Sequence, residues 1–168
     1  MPYSEKLVLS RLQQLIATPS VSSTDKSWDQ GNRPVIDLLA SWLSDMGFAT
    51  EIIDVTEDGR KANLIATLGT ANPLHGKGGL VFSGHADTVP YDDKRWSHDP
   101  YTLHIENNRA YGLGATDMKG FFAVAIEAIK DLDLQTLRQP LIILATADEE
   151  SSMAGARALT QAKTLQAR

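Results

Sequence analysis

Apolar positions along the chain alternate between helical spacing and short runs typical of strands. One apolar stripe, which stops at Thr18-Pro19, predicts a first helix. A second helix is predicted from Pro34 to Gly47, a third over residues 118–132, and a last one from about Met153 onward. The predicted inward faces are Leu7, Leu12, Leu15 and Ile16 in the first helix, Val35, Leu38, Leu39, Trp42 and Met46 in the second, and Phe121, Val124, Ala125, Ala128 and Ile129 in the third.

Runs rich in β-branched and apolar residues lie between these helices and predict strands. Two hairpins are predicted, one pairing 48–55 with 62–68 through Asp58-Gly59 and one pairing 101–105 with 109–111 through Asn107-Asn108. The apolar runs 80–83 and 141–147 read as buried strands. Buried strands separated by amphipathic helices predict an α/β fold, whose sites form beyond the carboxyl ends of the strands.

Composition narrows the class of protein. The 168 residues suit one domain with a real core, and 42% hydrophobic and 22% charged residues are ordinary globular values. The net charge of −5, without a Lys/Arg cluster, argues against a nucleic-acid partner. The sequence shows no apolar run of signal-peptide or membrane-span length, so we expect a cytoplasmic protein without a membrane partner. Because the chain has no cysteine, any metal ion must be held by His and carboxylate side chains.

Candidate chemistry follows the 80–83 run, where His85 and Asp87 stand two positions apart. This spacing at a strand end puts both side chains on one side. A neutral imidazole can bind a metal ion through one nitrogen and donate its other N–H to a carboxylate, which fixes the tautomer. The alternative is a surface histidine beside a turn aspartate.

The glycine-rich segment 112–120 leads into the third predicted helix. Its pattern lacks the third glycine of a dinucleotide-binding turn, and Asp117, in that place, would repel a pyrophosphate. Asp117 therefore suits a cation better, the alternative being a helix N-cap.

Three adjacent carboxylates, Asp148, Glu149 and Glu150, follow the 141–147 run. Such neighbours repel one another unless a cation or solvent offsets their charge. They indicate either a metal ligand beside a general base or a solvated acidic turn.

Taken in order, three motifs resemble the M20 family of metallopeptidases and deacylases. They are His-x-Asp-x-Val at 85–89, Gly-x-x-Asp-Met-Lys-Gly at 114–120 and Asp-Glu-Glu at 148–150, and the opening segment 15–22 also matches. The resemblance implies a mixed, mostly parallel sheet flanked by helices, as in the catalytic domain of zinc-dependent exopeptidases. It also implies a cis peptide bond between Asp117 and Met118.

The same resemblance assigns roles to five residues. His85 would bind one Zn²⁺ or Co²⁺ ion, Asp117 would bridge two ions, and Glu150 would bind the second. Glu149 would be the general base, and Asp87 would orient His85. Two such ions polarise an amide carbonyl and lower the pKa of a water molecule.

Within the family, several segments resemble the members that deacetylate N2-acetyl-L-ornithine. These segments are 95–96, 99–100, 111–114, 117–122 and 143–155. The implied reaction hydrolyses an N-acyl amino acid to L-ornithine and acetate, a step of arginine biosynthesis. Two alternatives remain: another M20 enzyme, such as a succinyl-diaminopimelate desuccinylase or a carboxypeptidase, and a non-catalytic binding or assembly module.

Members of the family are considerably longer than this chain. We therefore expect residues 1–168 to be the N-terminal portion of the catalytic domain, without the lid and dimerisation domain and without the later acidic and His ligands. The complete enzyme would be a homodimer, and this chain alone would turn over little or no substrate. Other polar residues are expected to be ordinary solvated groups: His75, His98, His104 and Lys119.

Overall fold

The computed structural model describes residues 4–69, 78–132 and 137–161, so His75 lies outside the described residues. The helices are α1 (Glu5–Ile16), α2 (Arg33–Asp45), α3 (Lys119–Ile129) and α4 (Ala154–Gln161). The strands are β1 (Ala49–Asp54), β2 (Ala62–Leu68), β3 (Leu80–His85), β4 (His104–Glu106), β5 (Arg109–Tyr111) and β6 (Leu141–Thr146), and a short 3₁₀ helix spans Asp93–Arg95. None of the described helices combines the length and the apolar character needed to span a membrane.

Four strands form the main sheet in the order β1-β2-β6-β3. The pairs β1–β2 and β2–β6 are antiparallel, and β3–β6 is parallel. The mixed α/β fold with a sheet flanked by helices is confirmed. The resemblance also implied a mostly parallel sheet. Among the described strands of the main sheet this is not observed, since two of the three pairings are antiparallel.

Both predicted hairpins are present. β1 pairs with β2 across a turn in which Gly59 has a φ of 67°. β4 pairs with β5 across Asn107 and Asn108, whose φ angles of 50° and 58° are left-handed values that asparagine tolerates. The second hairpin begins at His104 rather than at residue 101, because the Asp99 side chain accepts from the Tyr101 N–H and holds the preceding segment in a turn.

Helices α1 and α3 pack against each other, and the sheet and α2 complete the core. Three predicted inward positions are wrong, namely Leu7 in α1 and Val124 and Ala128 in α3. Leu7 is exposed, and Val8 takes its place in the core. In α3 the buried face runs through Phe122 and Ile126, whereas Val124 is 48% exposed. Because α3 is apolar on most sides, the spacing of its apolar residues does not single out one face.

The start of β3 also differs from the prediction. Leu80 and Val81 are largely exposed, although the apolar run predicted a buried strand. Among the described strands β3 lies at one edge of the sheet, so only its last residues, Gly84 and His85, are covered on both sides. The parallel pairing sets His85 opposite Thr146, so the chain leaves β3 and β6 at the same end of the sheet.

Candidate metal centre

The ends of β3 and β6 and the start of α3 bring three predicted ligands together. His85 is the last residue of β3, Glu150 lies four residues beyond the end of β6, and Asp117 lies two residues before α3. One ligand atom from each of the three lies within 4.8 Å of the others. His85 Nε2 is 3.1 Å from Asp117 Oδ1. The three side chains to which the resemblance assigned metal ions therefore converge in the structure.

The His85 ring is fixed in orientation by Asp87. His85 Nδ1 lies 3.0 Å from the Asp87 carbonyl oxygen and 3.5 Å from its Oδ1. When Nδ1 donates its hydrogen to the Asp87 carbonyl oxygen, Nε2 is the ring nitrogen that faces Asp117 and is available to a cation in the neutral imidazole. The other Asp87 carboxylate oxygen, Oδ2, accepts the Glu150 N–H at 3.1 Å. A single buried carboxylate thus connects the strand that carries His85 to the loop that carries Glu150.

Negative charge accumulates around the imidazole. Burial lowers the pKa of His85, but hydrogen bonds and the charge of Asp87, with Asp117, outweigh it and raise the pKa to about 9. Burial, together with the charges of Asp117, Glu149 and Asp87, raises the pKa of Glu150. A group of carboxylates that disfavour one another's ionisation is relieved by a bound cation. One imidazole and two carboxylates form a donor set that suits Zn²⁺ or Co²⁺.

Two carboxylates remain accessible at this centre. The side chain of Asp117 is 76% exposed and that of Glu149 is 47% exposed. Glu149 Oε2 lies 3.8 Å from His85 Nε2, next to the three candidate ligands. The Asp117–Met118 peptide bond is cis, as the resemblance implied. Asp117 and Glu149 are therefore open to solvent at this side of the candidate centre.

The acidic run 148–150 does not act as one group. Asp148 is buried, with a φ of +59°, and its Oδ1 accepts from Lys61 Nζ at 2.6 Å and from Ser22 Oγ at 2.8 Å. Glu149 and Glu150 lie at the metal centre instead. Sequence reasoning missed Lys61, the cation that offsets one of the three charges, because it lies 87 positions away along the chain.

Lys119 was expected at the surface, and this is wrong. Its side chain is fully buried, and Nζ donates to the Thr18 carbonyl oxygen at 3.0 Å. Burial lowers the pKa of this ammonium group to about 8.

His98 is exposed, as expected, but its ring stacks on that of His104 with centroids 3.7 Å apart.

The sequence pattern of peptidase family M20/M25/M40 matches residues 81–168, slightly more than half of the chain and the part that holds all five candidate residues. The chain belongs to this family. It is 54% identical over 143 residues to an acetylornithine deacetylase of Klebsiella pneumoniae (strain 342), a match covering 85% of the chain and 36% of that protein. With an acetylornithine deacetylase of Salmonella newport (strain SL254) it shares 52% over 151 residues, or 90% of the chain and 38% of the relative.

Two solved structures share the fold. Human carnosine dipeptidase 1 superposes with a TM-score of 0.74 at 24% identity, over 93% of this chain and 35% of that one. The M20 family metallo-carboxypeptidase Sso-CP2 of Sulfolobus solfataricus superposes with a TM-score of 0.65 at 24% identity, over 85% of this chain and 31% of that one. The chain spans 36% to 38% of the length of the curated relatives above.

Proposed function

We propose that this chain is part of a metal-dependent amide hydrolase that removes the acetyl group from N2-acetyl-L-ornithine, giving L-ornithine and acetate. The observation that carries the proposal is the convergence of His85, Asp117 and Glu150 within 4.8 Å. The identity of more than half of the aligned residues with acetylornithine deacetylases supports the choice of substrate. The reaction would be a cytoplasmic step of arginine biosynthesis.

In this proposal His85 would hold one ion, Glu150 would hold the other, and Asp117 would be shared by both. The Asp117 side chain is exposed, so its carboxylate is accessible to cations. When bound, Zn²⁺ or Co²⁺ would supply Lewis acidity that polarises the amide carbonyl and acidifies a water molecule. Asp87 keeps His85 in the tautomer that presents Nε2 to this centre.

Glu149 is the general base of the proposal. Its carboxylate lies at the exposed side of the centre, 3.8 Å from His85 Nε2, where substrate and water have access. Glu149 would take a proton from the attacking water and pass it to the amine that leaves, so that L-ornithine departs with a complete amino group.

We further propose that residues 1–168 form the N-terminal part of the catalytic domain. Among the described residues the assignment gives each ion two protein ligands, fewer than the three that catalytic zinc sites have. The remaining ligands, the lid and the dimer interface of a homodimer would lie in the further length that the relatives have. The chain alone should then bind metal weakly and hydrolyse little or no substrate.

Calorimetric titration of Zn²⁺ or Co²⁺ into the chain tests the proposal. The heat of binding should be largely lost in His85→Ala and in Glu150→Gln. Equal heats in the two variants and the unmodified chain would instead favour a non-catalytic binding or assembly module.

Substrate choice needs a separate test, namely substrate profiling of the protein at the full length of its relatives. Faster hydrolysis of N-succinyl-diaminopimelate or of a dipeptide than of N2-acetyl-L-ornithine would contradict the proposed substrate and favour another M20 activity.

A further inference from the structure

Two polar side chains near the start of β2 face the segment that follows β6, residues 147–155. This segment, which includes the first two residues of α4, is here called the acidic loop. Lys61 directly precedes β2 and Asn63 is its second residue, and the side chains of both contact the acidic loop. Lys61 is buried and Asn63 is fully buried. We call these two residues the β2 pair. Neither belongs to the proposed ligands or to the proposed general base.

Lys61 forms the charged half of the β2 pair. Its Nζ donates to Asp148 Oδ1 at 2.6 Å and to Asp29 Oδ1 at 2.7 Å. Burial lowers the pKa of Lys61, but hydrogen bonds and charge from Asp148 and Asp29 outweigh it, so the pKa is raised and the ammonium stays charged. Removing one partner of a buried ion pair leaves the other charge uncompensated, which costs more than losing an exposed pair.

Asn63 holds both ends of the acidic loop. Its side-chain oxygen Oδ1 accepts the Ala147 N–H at 3.0 Å, and its Nδ2 donates to the Gly155 carbonyl oxygen at 2.9 Å. A Cβ atom at Gly155 would lie 2.5 Å from Asn63 Oδ1 and 2.5 Å from the Ala147 carbonyl oxygen. The two ends of the loop and the Asn63 amide are therefore packed without spare space.

Asp148 turns the chain toward the metal centre. Its φ of +59° is a left-handed value that few residues other than Gly, Asn and Asp adopt. Lys61 Nζ, Ser22 Oγ and Ser152 Oγ all donate to its carboxylate. Beyond this turn the Glu150 N–H donates to Asp87 Oδ2, so the loop is fixed between β2 and the residue that orients His85.

We propose that Lys61 and Asn63 are positioning residues, which fix the acidic loop through Asp148 and Ala147 and so place Glu149 and Glu150 at the metal centre. The inference rests on the proposed function, because it assigns the pair a role in that centre. Supporting groups one step beyond metal ligands change metal affinity by about 10–100-fold when they are mutated.

The test is a double-mutant cycle on Co²⁺ binding to the 168-residue chain. Lys61→Met removes the ammonium, Asp148→Asn removes its carboxylate partner, and the double variant removes both. Lys130→Met is the matched control, since it removes a cation from another buried carboxylate, Glu127, more than two turns along α3 from its first residue. Affinity is read by calorimetry and by the visible absorption of bound Co²⁺, and the fold by circular dichroism.

We expect Lys61→Met and Asp148→Asn each to weaken Co²⁺ binding about 10–100-fold. The double variant should lose no more than either single variant, because residues that act through one contact are not additive. Lys130→Met should bind Co²⁺ like the unmodified chain. Unchanged affinity in both single variants, additive losses in the double variant, or an equal loss in Lys130→Met would overturn the proposal.

A metal-free measurement separates this proposal from the proposed function. Amide hydrogen exchange at Glu150 and Gly155 reports on the acidic loop without any ion present. If Co²⁺ binding does not depend on His85, the proposed function fails. The positioning role of the β2 pair is then tested by amide hydrogen exchange alone. Faster exchange at these two amides in Lys61→Met, and not in Lys130→Met, supports the positioning role, whereas unchanged exchange contradicts it.

Discussion

His85 Nε2 lies 3.1 Å from Asp117 Oδ1, although the two residues are 32 positions apart. Their contact depends on the close packing of β3 against α3 and against Met118, the residue that precedes α3. A Cβ atom at Gly84 would lie 2.9 Å from Met118 Cε and 3.0 Å from Phe121 Cδ1, so only glycine permits this approach without displacement. The end of β3 and the start of α3 thus present an imidazole and a carboxylate to the same point.

The neighbouring residues Glu149 and Glu150 should behave differently when their charges are removed. Glu150→Gln should weaken Co²⁺ binding strongly, because Glu150 is one of the three converging ligands. Glu149→Gln should leave the affinity close to that of the unmodified chain, since Glu149 is assigned to proton transfer. Calorimetry on the two variants makes the comparison, and each serves as the control for the other. Equal losses would mean that Glu149 is also a ligand.

Gly155→Ala should destabilise the chain and disturb the acidic loop. The new Cβ would lie 2.5 Å from the Ala147 carbonyl oxygen and 2.6 Å from the Ala147 nitrogen, which are backbone atoms that cannot move aside cheaply. Overpacking of this kind costs about 1–3 kcal/mol in the free energy of unfolding. Urea denaturation measures it, with the exposed Arg157→Ala on the same helix as control. A Gly155→Ala chain as stable as the control would contradict this packing.

The buried face of α3 can be tested with one pair of variants. Phe122→Ala removes a fully buried ring from the core and should cost about 3–5 kcal/mol. Val124→Ala, on the exposed face, should change the free energy of unfolding by less than about 0.5 kcal/mol. Thermal or urea unfolding of both variants measures the two changes in the free energy of unfolding. A larger loss for Val124 would favour the face that the sequence pattern predicted.

Glu127 should make stability depend on pH in the acid range. A hydrogen bond from Lys130, with further ones from the Ser4 N–H and Arg11, lowers the pKa of this carboxyl to about 2 from an ordinary 4.5. Because the folded-state pKa lies below the unfolded one, the stabilisation is fully present above pH 4.5 and is lost as the pH falls through 2. Unfolding free energies should therefore fall over this window.

The control for that prediction is a carboxyl substitution at the surface. Glu127→Gln should flatten the pH dependence between 4.5 and 2 relative to the unmodified chain. Glu57→Gln, at an exposed position, should leave the slope unchanged. The same slope in all three chains would show that Glu127 is not the group responsible.

The sequence predicted the two hairpins because they depend on short-range patterns. Their turns follow from Gly59 and from Asn107 and Asn108. The candidate metal ligands were assigned from the resemblance to the M20 family rather than from spacing, and their role as ligands stays a prediction. The order of strands in the sheet is set by packing between distant segments, and the sequence pattern did not predict the antiparallel pairing of β2 with β6.

Buried charges were the main features that the pattern could not predict. Lys119 was expected at the surface, and the sequence pattern gave no indication that Lys61 is buried. Each of the two contacts a segment far away along the chain. The predicted face of α3 was wrong at Val124 and Ala128, because a helix with apolar residues on most sides packs according to its neighbours. Long-range contacts of this kind are fixed only when the whole domain is assembled.

The central claim is that His85, Asp117 and Glu150 surround one cationic centre. Crystals of the chain grown with Zn²⁺ and measured at the zinc absorption edge test it directly, since anomalous scattering locates the ion independently of any assumed ligand. The account predicts zinc where these three side chains converge, one ion bonded to His85 and Asp117 and a second bonded to Asp117 and Glu150. Zinc bound only elsewhere, for instance at the stacked His98 and His104, or no ordered zinc at saturating concentration, would contradict it.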